Sequence, residues 1–308
     1  MPLITGFTAP SAYRGGYVSI GNFDGVHRGH RVIVNQVVER ARAASVPAVV
    51  VTFEPHPVAV LAPHRQPPRL TRLAYKAHLL EECGIDVVLA IEPTRELLAM
   101  SPREFFETIL VREMQIAGIV EGPNFCFGQH RAGTTETLVS LADEHSIDVK
   151  IVSPETSGED LVSSTAIRQA LQAGSIELAT QLLGRMHRVR GVVRSGAARG
   201  RTIGFPTANL ADVEEMLPCD GVYAGMATVG DRAFSAAIQL GTNPTFDGSE
   251  RKLEVHLLDF SGDIYGQEVD LDFRHRLRDV VRFESTEQLI RQLNIDIEQT
   301  RQLCDAAR

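Results

Sequence analysis

The sequence contains no tryptophan, few lysines and only four cysteines. The cysteines, at positions 83, 126, 219 and 304, are far apart and form no CxxC pair, which argues against a disulfide framework or a thiolate zinc site. No apolar run approaches the ~18 residues that a membrane span needs. The N-terminus has neither the basic region nor the long apolar core of a secretion signal. We therefore expect a cytoplasmic protein with no membrane interaction.

Lysine occurs only at positions 76, 150 and 252. None of these lies in a GxxxxGK[ST] motif or after a VAI-type strand, which excludes a P-loop kinase and a protein kinase. The net charge of −8 disfavours nucleic acid as a partner, because such proteins usually present a basic face. A local pocket can still bind a small anion. The 308 residues leave room for about two domains of ~150 residues.

The first part of the chain, residues 1–183, alternates strand and helix patterns. Predicted strands cover 16–21, 47–53, 85–91, 116–122 and 147–153, and predicted helices cover 31–44, 71–83, a capping-box segment from Ser101 and 134–145. Such alternation predicts a doubly wound parallel sheet of Rossmann-like α/β type. Sheets of this type bind ligands at the carboxyl ends of their strands.

The pattern changes near 184–188. From 187 to 275 come short segments rich in Val, Thr, Phe and Tyr between Gly, Pro and Asn-Pro turns. These predict a small antiparallel β-barrel, followed by one helix capped by Ser285 or Thr286. We therefore expect two domains, 1–183 and 187–308.

The first predicted strand ends in GNFDGVHRGH (21–30) and continues into a helix. Gly21 and Gly25 permit a tight turn. His27 and His30 lie at the helix start, where free N–H groups and the helix dipole favour an anion such as a nucleotide phosphate. The alternatives are an Asp-Gly turn with two surface histidines, or a zinc site, for which no third ligand is evident.

The segment LVSSTAIRQAL (161–171) follows the fifth predicted strand. Serines and a threonine at a helix start are ordinarily a cap. Arg168, one turn further on, could add a bidentate phosphate contact. Together with the histidine segment it would form a two-sided clamp on a triphosphate.

Two strand-end loops, TFEPHP (52–57) and EGPNFCFG (121–128), place aromatic and polar residues at the expected ligand edge. For Phe53, Phe125 and Phe127 taken singly, a place in the core is the better explanation. Asn124 is harder to explain as packing.

In the second domain, a glycine-rich loop leads into PTAN (206–209) within residues 194–210. Thr207 and Asn209 alternate and so emerge on the same face. A hydroxyl and an amide oxygen suit Mg²⁺ whose charge is balanced by phosphates, although a strand edge with turn residues is the alternative. Downstream, in RKLEVHLLDF (251–260), alternation places Leu253 and Val255 on one face of a strand and Glu254 on the other, as a solvated residue or as a general base.

Taken together, these segments resemble the bifunctional prokaryotic riboflavin kinase/FMN adenylyltransferase family, often called FAD synthetase. The resemblance covers nearly the whole chain. GNFDGVHRGH and SSTAIR match the family's nucleotidylyltransferase signature, and GRTIGFPTANL, GVYAG, NPTF and LEVHLLDF match its kinase half.

The resemblance implies that His27, His30 and Arg168 hold the ATP phosphates for adenylyl transfer, and that Glu254 is the catalytic base of the kinase. It implies that Thr207 and Asn209 bind Mg²⁺ and ATP. The other implied contacts with nucleotide or flavin are Gly21, Phe23, Asp24, Phe53, His56, Pro57, Asn124, Phe127, Ser163, Ser164, Thr165 and Gly200.

The expected function is therefore a transferase that makes FMN from riboflavin and FAD from FMN, with ATP and Mg²⁺, as a monomer or an oligomer. The FMN phosphate is already an anion and needs no base, whereas the kinase must activate a neutral hydroxyl. The alternatives are an enzyme with one active half, a non-catalytic flavin-sensing module, and a nucleotidylyltransferase acting on another phosphorylated substrate.

Overall fold

A computed structural model of the chain describes residues 3–153, 156–157, 160–196, 200, 203–243 and 248–305. Residues 244–246 of the NPTF motif, and residues 197–199, 201 and 202 of the glycine-rich loop, lie outside the described residues. The chain groups into two compact units. Unit 1 takes in Met1–Pro67 and Thr71–Ser163, and unit 2 takes in Pro68–Leu70 and Ser164–Arg308.

Unit 1 contains a parallel sheet of six strands, in the order β1-β4-β3-β2-β5-β6. The strands are β1 (Leu3–Thr5), β2 (Tyr17–Ile20), β3 (Ala48–Phe53), β4 (Val87–Ile91), β5 (Gly118–Glu121) and β6 (Asp148–Ile151). The predicted parallel sheet is thus confirmed. The sequence predicted five of these strands and missed β1, because three residues are too short to show a period of two.

Helices cover both faces of this sheet. They are α1 (Pro10–Tyr13), α2 (Arg28–Ala44), α3 (Pro57–Leu61), α4 (Leu73–Glu82), α5 (Arg95–Ala99), α6 (Pro102–Phe105) and α7 (Thr135–Glu144). A π-helix, Phe106–Glu113, continues α6. Side chains of α2 and α4 form one core cluster with the sheet, and those of α6, the π-helix and α7 form the other. This two-sided covering explains why the central strands are buried and mostly apolar.

The capping box predicted at Ser101 is present. The Ser101 hydroxyl accepts a hydrogen bond from the Glu104 backbone N–H, and the Glu104 carboxylate accepts one from the Ser101 N–H. Both bonds satisfy donors that the start of a helix leaves unpaired. A short antiparallel pair, β7 (Thr156–Ser157) and β8 (Asp160–Leu161), follows β6 and was not predicted.

Unit 2 begins with α8 (Ser164–Ala173) and α9 (Ile176–Leu183) and continues into a closed antiparallel barrel. The barrel strands are β9 (His187–Arg194), β10 (Ala208–Ala211), β11 (Gly221–Val229), β12 (Arg232–Asn243), β13 (Gly248–Leu257) and β14 (Glu268–Arg278). Their order around the barrel is β10-β13-β12-β11-β14-β9. In β13 alternate residues such as Leu253 and Val255 are buried, so one face of this strand fills the barrel interior. The predicted barrel is confirmed.

The helices α8 and α9 group with the barrel because α9 packs against β9 and β14. The His275 imidazole lies 2.9 Å from the Glu177 carboxylate across this packing. The backbone N–H of Cys219 donates to the Leu171 carbonyl at the end of α8. The boundary between the functional domains, expected between 183 and 187, stays a prediction.

A final helix, α10 (Thr286–Asp305), packs against β11, β12 and β14. The Ser285 hydroxyl accepts a hydrogen bond from the Gln288 N–H at 3.3 Å, which makes Ser285 the cap. On the inner side of α10, the Asp296 carboxylate is 2% exposed and lies 2.6 Å from the Arg278 guanidinium of β14.

Candidate functional sites

The ligand edge of the parallel sheet is set by its topology. From β2 the chain crosses to β3 on one side, whereas β5 and β6 lie on the other side. The crevice at such a switch point, at the carboxyl ends of the strands, is where open α/β sheets bind ligands. Residues 21–27, 54–56 and 122–128 follow β2, β3 and β5 at this edge.

Loop 21–27 is held in place by hydrogen bonds to Thr71 and by packing of the Phe23 ring. The Asp24 carboxylate accepts hydrogen bonds from the Thr71 N–H at 3.0 Å and from its hydroxyl, and the Gly25 N–H donates to the Thr71 oxygen. Phe23 is buried, with φ of +46°, and its ring covers the space beside Gly21. Phe23 and Asp24 therefore shape the loop, and their expected ligand contacts stay predictions.

His27 caps α2. Its Nδ1 accepts a hydrogen bond from the His30 backbone N–H at 3.3 Å, and the two imidazoles stack with centroids 3.6 Å apart. Because Nδ1 is an acceptor, the neutral ring carries its proton on Nε2, which makes Nε2 a donor. A pair of stacked imidazoles at a helix start suits an anionic ligand.

Gly29, between the two histidines, allows a close approach of the chain. A Cβ at Gly29 would lie 3.2 Å from the Val162 carbonyl, so the residue before Ser163 lies against the start of α2. Ser163 directly precedes α8, which begins at Ser164 and contains Thr165, an exposed residue. The Nε of Arg168 in α8 donates to the Pro68 carbonyl at 2.7 Å. The two-sided clamp on a triphosphate stays a prediction.

The loops after β3 and β5 contain side chains with structural roles as well as exposed ones. Phe53 packs against the core, and His56 caps α3 by accepting from the Val58 N–H at 3.1 Å, with Pro57 in the first turn. Asn124 is exposed.

Phe127 is buried between neighbouring rings. It stacks on Phe125 at 5.5 Å and lies 6.0 Å from Phe105. This packing indicates that Phe127 belongs to the core. The sequence analysis favoured that explanation for each phenylalanine taken singly.

The sequence analysis placed Glu121 at the end of a predicted strand and the start of loop 121–128, but assigned it no role. Its side chain is 3% exposed at the end of β5. The carboxyl Oε1 accepts hydrogen bonds from the Ile20 N–H at 2.7 Å and from the Ser19 hydroxyl at 3.4 Å. Burial raises the pKa of this carboxyl well above its usual range, despite these bonds. A charged residue inside an apolar strand pattern was the available signal.

The second site lies on the barrel. Asn209 of β10 is the direct cross-strand partner of Glu254 of β13, and Gln239 of β12 is the partner of Glu254 on the other side. Directly opposed residues of an antiparallel pair share a face of the sheet and lie within reach of each other. All three are half-buried, whereas the flanking Leu253 and Val255 fill the interior. Gln239 is a polar neighbour that the sequence analysis did not identify.

Two glycines of the loop before β10 pack on the predicted ligand residues. A Cβ at Gly196 would lie 2.2 Å from the Asn209 Nδ2, and a Cβ at Gly200 would lie 2.2 Å from the Phe205 carbonyl and 3.5 Å from the Thr207 Oγ1. The Phe205 N–H donates to the Gly200 carbonyl at 2.8 Å. The loop backbone therefore approaches Thr207 and Asn209 closely, as a loop that covers phosphates would.

The oxygen atoms of the barrel site show whether its residues could bind Mg²⁺. Thr207 and Asn209 offer two uncharged oxygens, which suit Mg²⁺ shared with substrate phosphates. No group of three His, Cys, Asp or Glu side chains is arranged to hold a metal among the residues the structure describes. These two side chains therefore suit a metal that binds together with a nucleotide, rather than a metal coordinated by protein ligands alone.

Comparison with known families also divides the chain into two functional domains. The FAD synthetase family model matches residues 9–166, and the riboflavin kinase family model matches residues 183–304. A solved structure described as a macrolide-efflux protein from Streptococcus pneumoniae is 33% identical, with a TM-score of 0.87, and the match covers 98% of this chain and 99% of that one. Within the described part of this chain, no helix is both long and apolar enough to cross a membrane.

Curated relatives match along nearly the full length. The bifunctional riboflavin kinase/FMN adenylyltransferase of Escherichia coli strain K12 is 37% identical over 299 residues, covering 96% of each chain. The protein of the same description from Bacillus subtilis is 32% identical over 284 residues, covering 91% of this chain and 89% of its own. This chain belongs to the bifunctional riboflavin kinase/FMN adenylyltransferase family.

Proposed function

We propose that the two activities of the family are carried by the residues identified above: Glu254, Asn209 and Thr207 for phosphorylation of riboflavin, and His27, His30 and Arg168 for adenylylation of FMN. The observation that carries the proposal is the pairing of Asn209 with Glu254 across β10 and β13. On one face of the barrel, this pairing puts the Glu254 carboxylate beside the Asn209 amide. In this proposal the amide is an uncharged ligand for a phosphate-bound metal.

In the kinase half, Glu254 accepts the proton of the terminal ribityl hydroxyl of riboflavin. The hydroxyl oxygen forms a bond to the γ-phosphorus of ATP, the bond from that phosphorus to the β-phosphate oxygen breaks, and ADP leaves. Thr207 and Asn209 hold the nucleotide from the same face, and Gly196 and Gly200 let the loop backbone lie close to it. Mg²⁺, when bound with ATP, neutralises charge on the phosphates.

In the adenylyltransferase half, a phosphate oxygen of FMN attacks the α-phosphorus of ATP, and pyrophosphate leaves. The nucleophile is already an anion, so no base is needed, and positioning with donor groups suffices. His27 and His30 supply imidazole donors at the start of α2, and Arg168 supplies a guanidinium. Asn124 and the 52–57 loop border the flavin.

The test follows conversion of riboflavin over time. The purified chain is incubated with riboflavin, ATP and Mg²⁺, and flavins are separated by chromatography. We expect FMN to appear and then give way to FAD. His30→Ala should stop the reaction at FMN, whereas Asn209→Ala should slow FMN formation and leave the conversion of supplied FMN unchanged.

Other outcomes would overturn the proposal. Equal loss of both products in His30→Ala would remove the assignment of His30 to one half. Flavin binding without any turnover would point to a sensing module, and failure to bind flavin would point to a different phosphorylated substrate. The cytoplasmic location and the oligomeric state stay predictions.

A further inference from the structure

The parallel sheet opens between β2 and β5. Strand β2 pairs with β3 over four registers, from Tyr17↔Ala48 to Ile20↔Val51. It pairs with β5 over only two, Tyr17↔Gly118 and Val18↔Ile119. The gap therefore lies at the carboxyl ends of these two strands, which is the switch-point crevice described above.

The side chain of Glu121 fills this gap. Continuing the register from Val18↔Ile119 by two residues would set Ile20 opposite Glu121. The Ile20 N–H instead donates to the Glu121 Oε1, at 2.7 Å. Without that acceptor, a buried backbone donor would be left without its hydrogen bond, which is unfavourable in a protein interior. The carboxyl thus replaces a main-chain carbonyl as the link between the two strands.

Glu121 also lies at the start of both ligand loops. Ile20 is followed directly by Gly21 and the loop that leads to His27, and Glu121 is followed directly by Gly122 and the loop that contains Asn124. The Gly122 N–H also hydrogen-bonds to the Glu121 carboxyl. The buried Glu121 carboxyl therefore links Gly122, the first residue of loop 122–128, to Ile20, the last strand residue before loop 21–27.

We propose that Glu121 is a positioning residue for adenylyl transfer: its buried carboxyl spaces β2 from β5 and so fixes loop 21–27 relative to loop 122–128. Glu121 does not contact substrate in this role. It acts through Ile20 and Gly122, and the inference rests on adenylyl transfer being the reaction at this edge of the sheet.

The protonation state of Glu121 is compatible with this role. Its hydrogen-bond partners, Ser19, Ile20 and Gly122, are all uncharged, and burial raises the pKa of the carboxyl. The uncharged form, which burial favours, adds no negative charge beside a loop that must hold phosphates. A neutral amide of similar shape should therefore serve almost as well.

Three variants test the proposal. Glu121→Gln keeps an oxygen acceptor for the Ile20 N–H, Glu121→Met keeps the length but removes the acceptor, and Glu121→Asp withdraws the acceptor by one methylene. FMN adenylylation and riboflavin phosphorylation are measured on each full chain. Phosphorylation on unit 2 controls for the amount of active chain, circular dichroism checks that unit 1 of each variant is folded, and wild-type FAD formation establishes the reaction itself.

We expect kcat/KM for adenylylation to fall about tenfold to 100-fold in Glu121→Met, since small misplacements of reacting groups cost that much. Phosphorylation should be unchanged, and Glu121→Gln should adenylylate close to the wild-type rate. Wild-type adenylylation in Glu121→Met, or a loss in Glu121→Gln as large as in Glu121→Met, would overturn the proposal. If Glu121→Met does not fold, Glu121→Asp must still fall below Glu121→Gln, and equal rates would overturn it. Absence of FAD formation in the wild type would instead contradict the assigned activity.

Discussion

Asn209 and Glu254 are direct cross-strand partners on adjacent strands of the barrel, on the face opposite the apolar interior. This pairing joins two motifs that are separated along the chain, PTAN and LEVHLLDF. It places the amide that we propose as a ligand of a phosphate-bound metal next to the carboxylate that we propose as the base. The arrangement is what transfer of a phosphoryl group to a neutral hydroxyl requires.

Substituting the carboxylate should separate the two activities. Glu254→Gln keeps the shape of the side chain but removes the base, so riboflavin phosphorylation should fall by about 100-fold or more. Adenylylation of supplied FMN should not change. The matched control is Glu268→Gln, on β14 of the same barrel, which removes a carboxylate that pairs with Arg190 at the surface. A kinase rate in Glu254→Gln equal to that of the control would show that Glu254 is not the base.

A methyl group at Gly196 should damage the kinase by steric contact alone. A Cβ there would lie 2.2 Å from the Asn209 amide nitrogen. In Gly196→Ala, Asn209 or the loop must therefore move, and we expect KM for ATP in the kinase reaction to rise about tenfold. Gly230→Ala is the control, because a Cβ at Gly230 meets nothing within 4 Å, although its φ of +55° adds some strain. An unchanged KM in Gly196→Ala would mean that the loop does not hold Asn209 in place.

The ion pairs between α10 and the barrel half should differ sharply in their effect on stability. Asp296 is 2% exposed and pairs with Arg278, whereas Asp259 is 70% exposed and pairs with Arg301. Asp296→Ala leaves a guanidinium in a largely buried place without its acid, so the free energy of unfolding should fall by about 3–5 kcal/mol. Asp259→Ala removes an exposed, solvent-screened pair and should lower the free energy of unfolding far less. Urea unfolding followed by circular dichroism measures both, and similar losses would contradict the difference in burial.

The protonation of Glu121 should make stability depend on pH. Burial raises the pKa of its carboxyl in the folded protein above the ordinary value of 4.5, so the folded state retains a proton that the unfolded state has lost. Stability from this group is therefore complete below about pH 4.5 and declines as pH rises, by at most about 1.4 kcal/mol per pH unit. Glu121→Gln lacks this dependence. The free energy of unfolding of the variant minus that of the wild type should increase between about pH 5 and pH 8, and a constant difference would show that Glu121 is ionised throughout.

The sequence predicted those features that depend on local pattern. The alternation in LEVHLLDF separated Glu254 from Leu253 and Val255, and the structure places them on opposite faces as expected. The histidines of the HRGH segment were expected at a helix start, where His27 indeed caps α2. These inferences need only the geometry of a single strand or helix.

What the sequence could not predict depends on which distant segments meet. Glu121 was placed at a predicted strand end without a role, and its hydrogen bond to the Ile20 N–H depends on the register between β2 and β5, which no local pattern encodes. Gln239 becomes a neighbour of Glu254 only through the pairing of β12 with β13. Asp24, in the motif, turns toward Thr71 because the two segments, far apart in sequence, come together in the fold.

The two sheets also differ in how they end, which bears on aggregation. The six barrel strands close on one another, so each pairs on both sides with its neighbours. The parallel sheet has two open edges, but β1 has only three residues, and β6 carries Asp148 and Lys150. Short or charged edge strands resist the addition of a strand from another molecule. Self-association by strand addition, where it occurs, should therefore begin at the sheet of the half that makes FAD, and the barrel of the half that makes FMN should be spared.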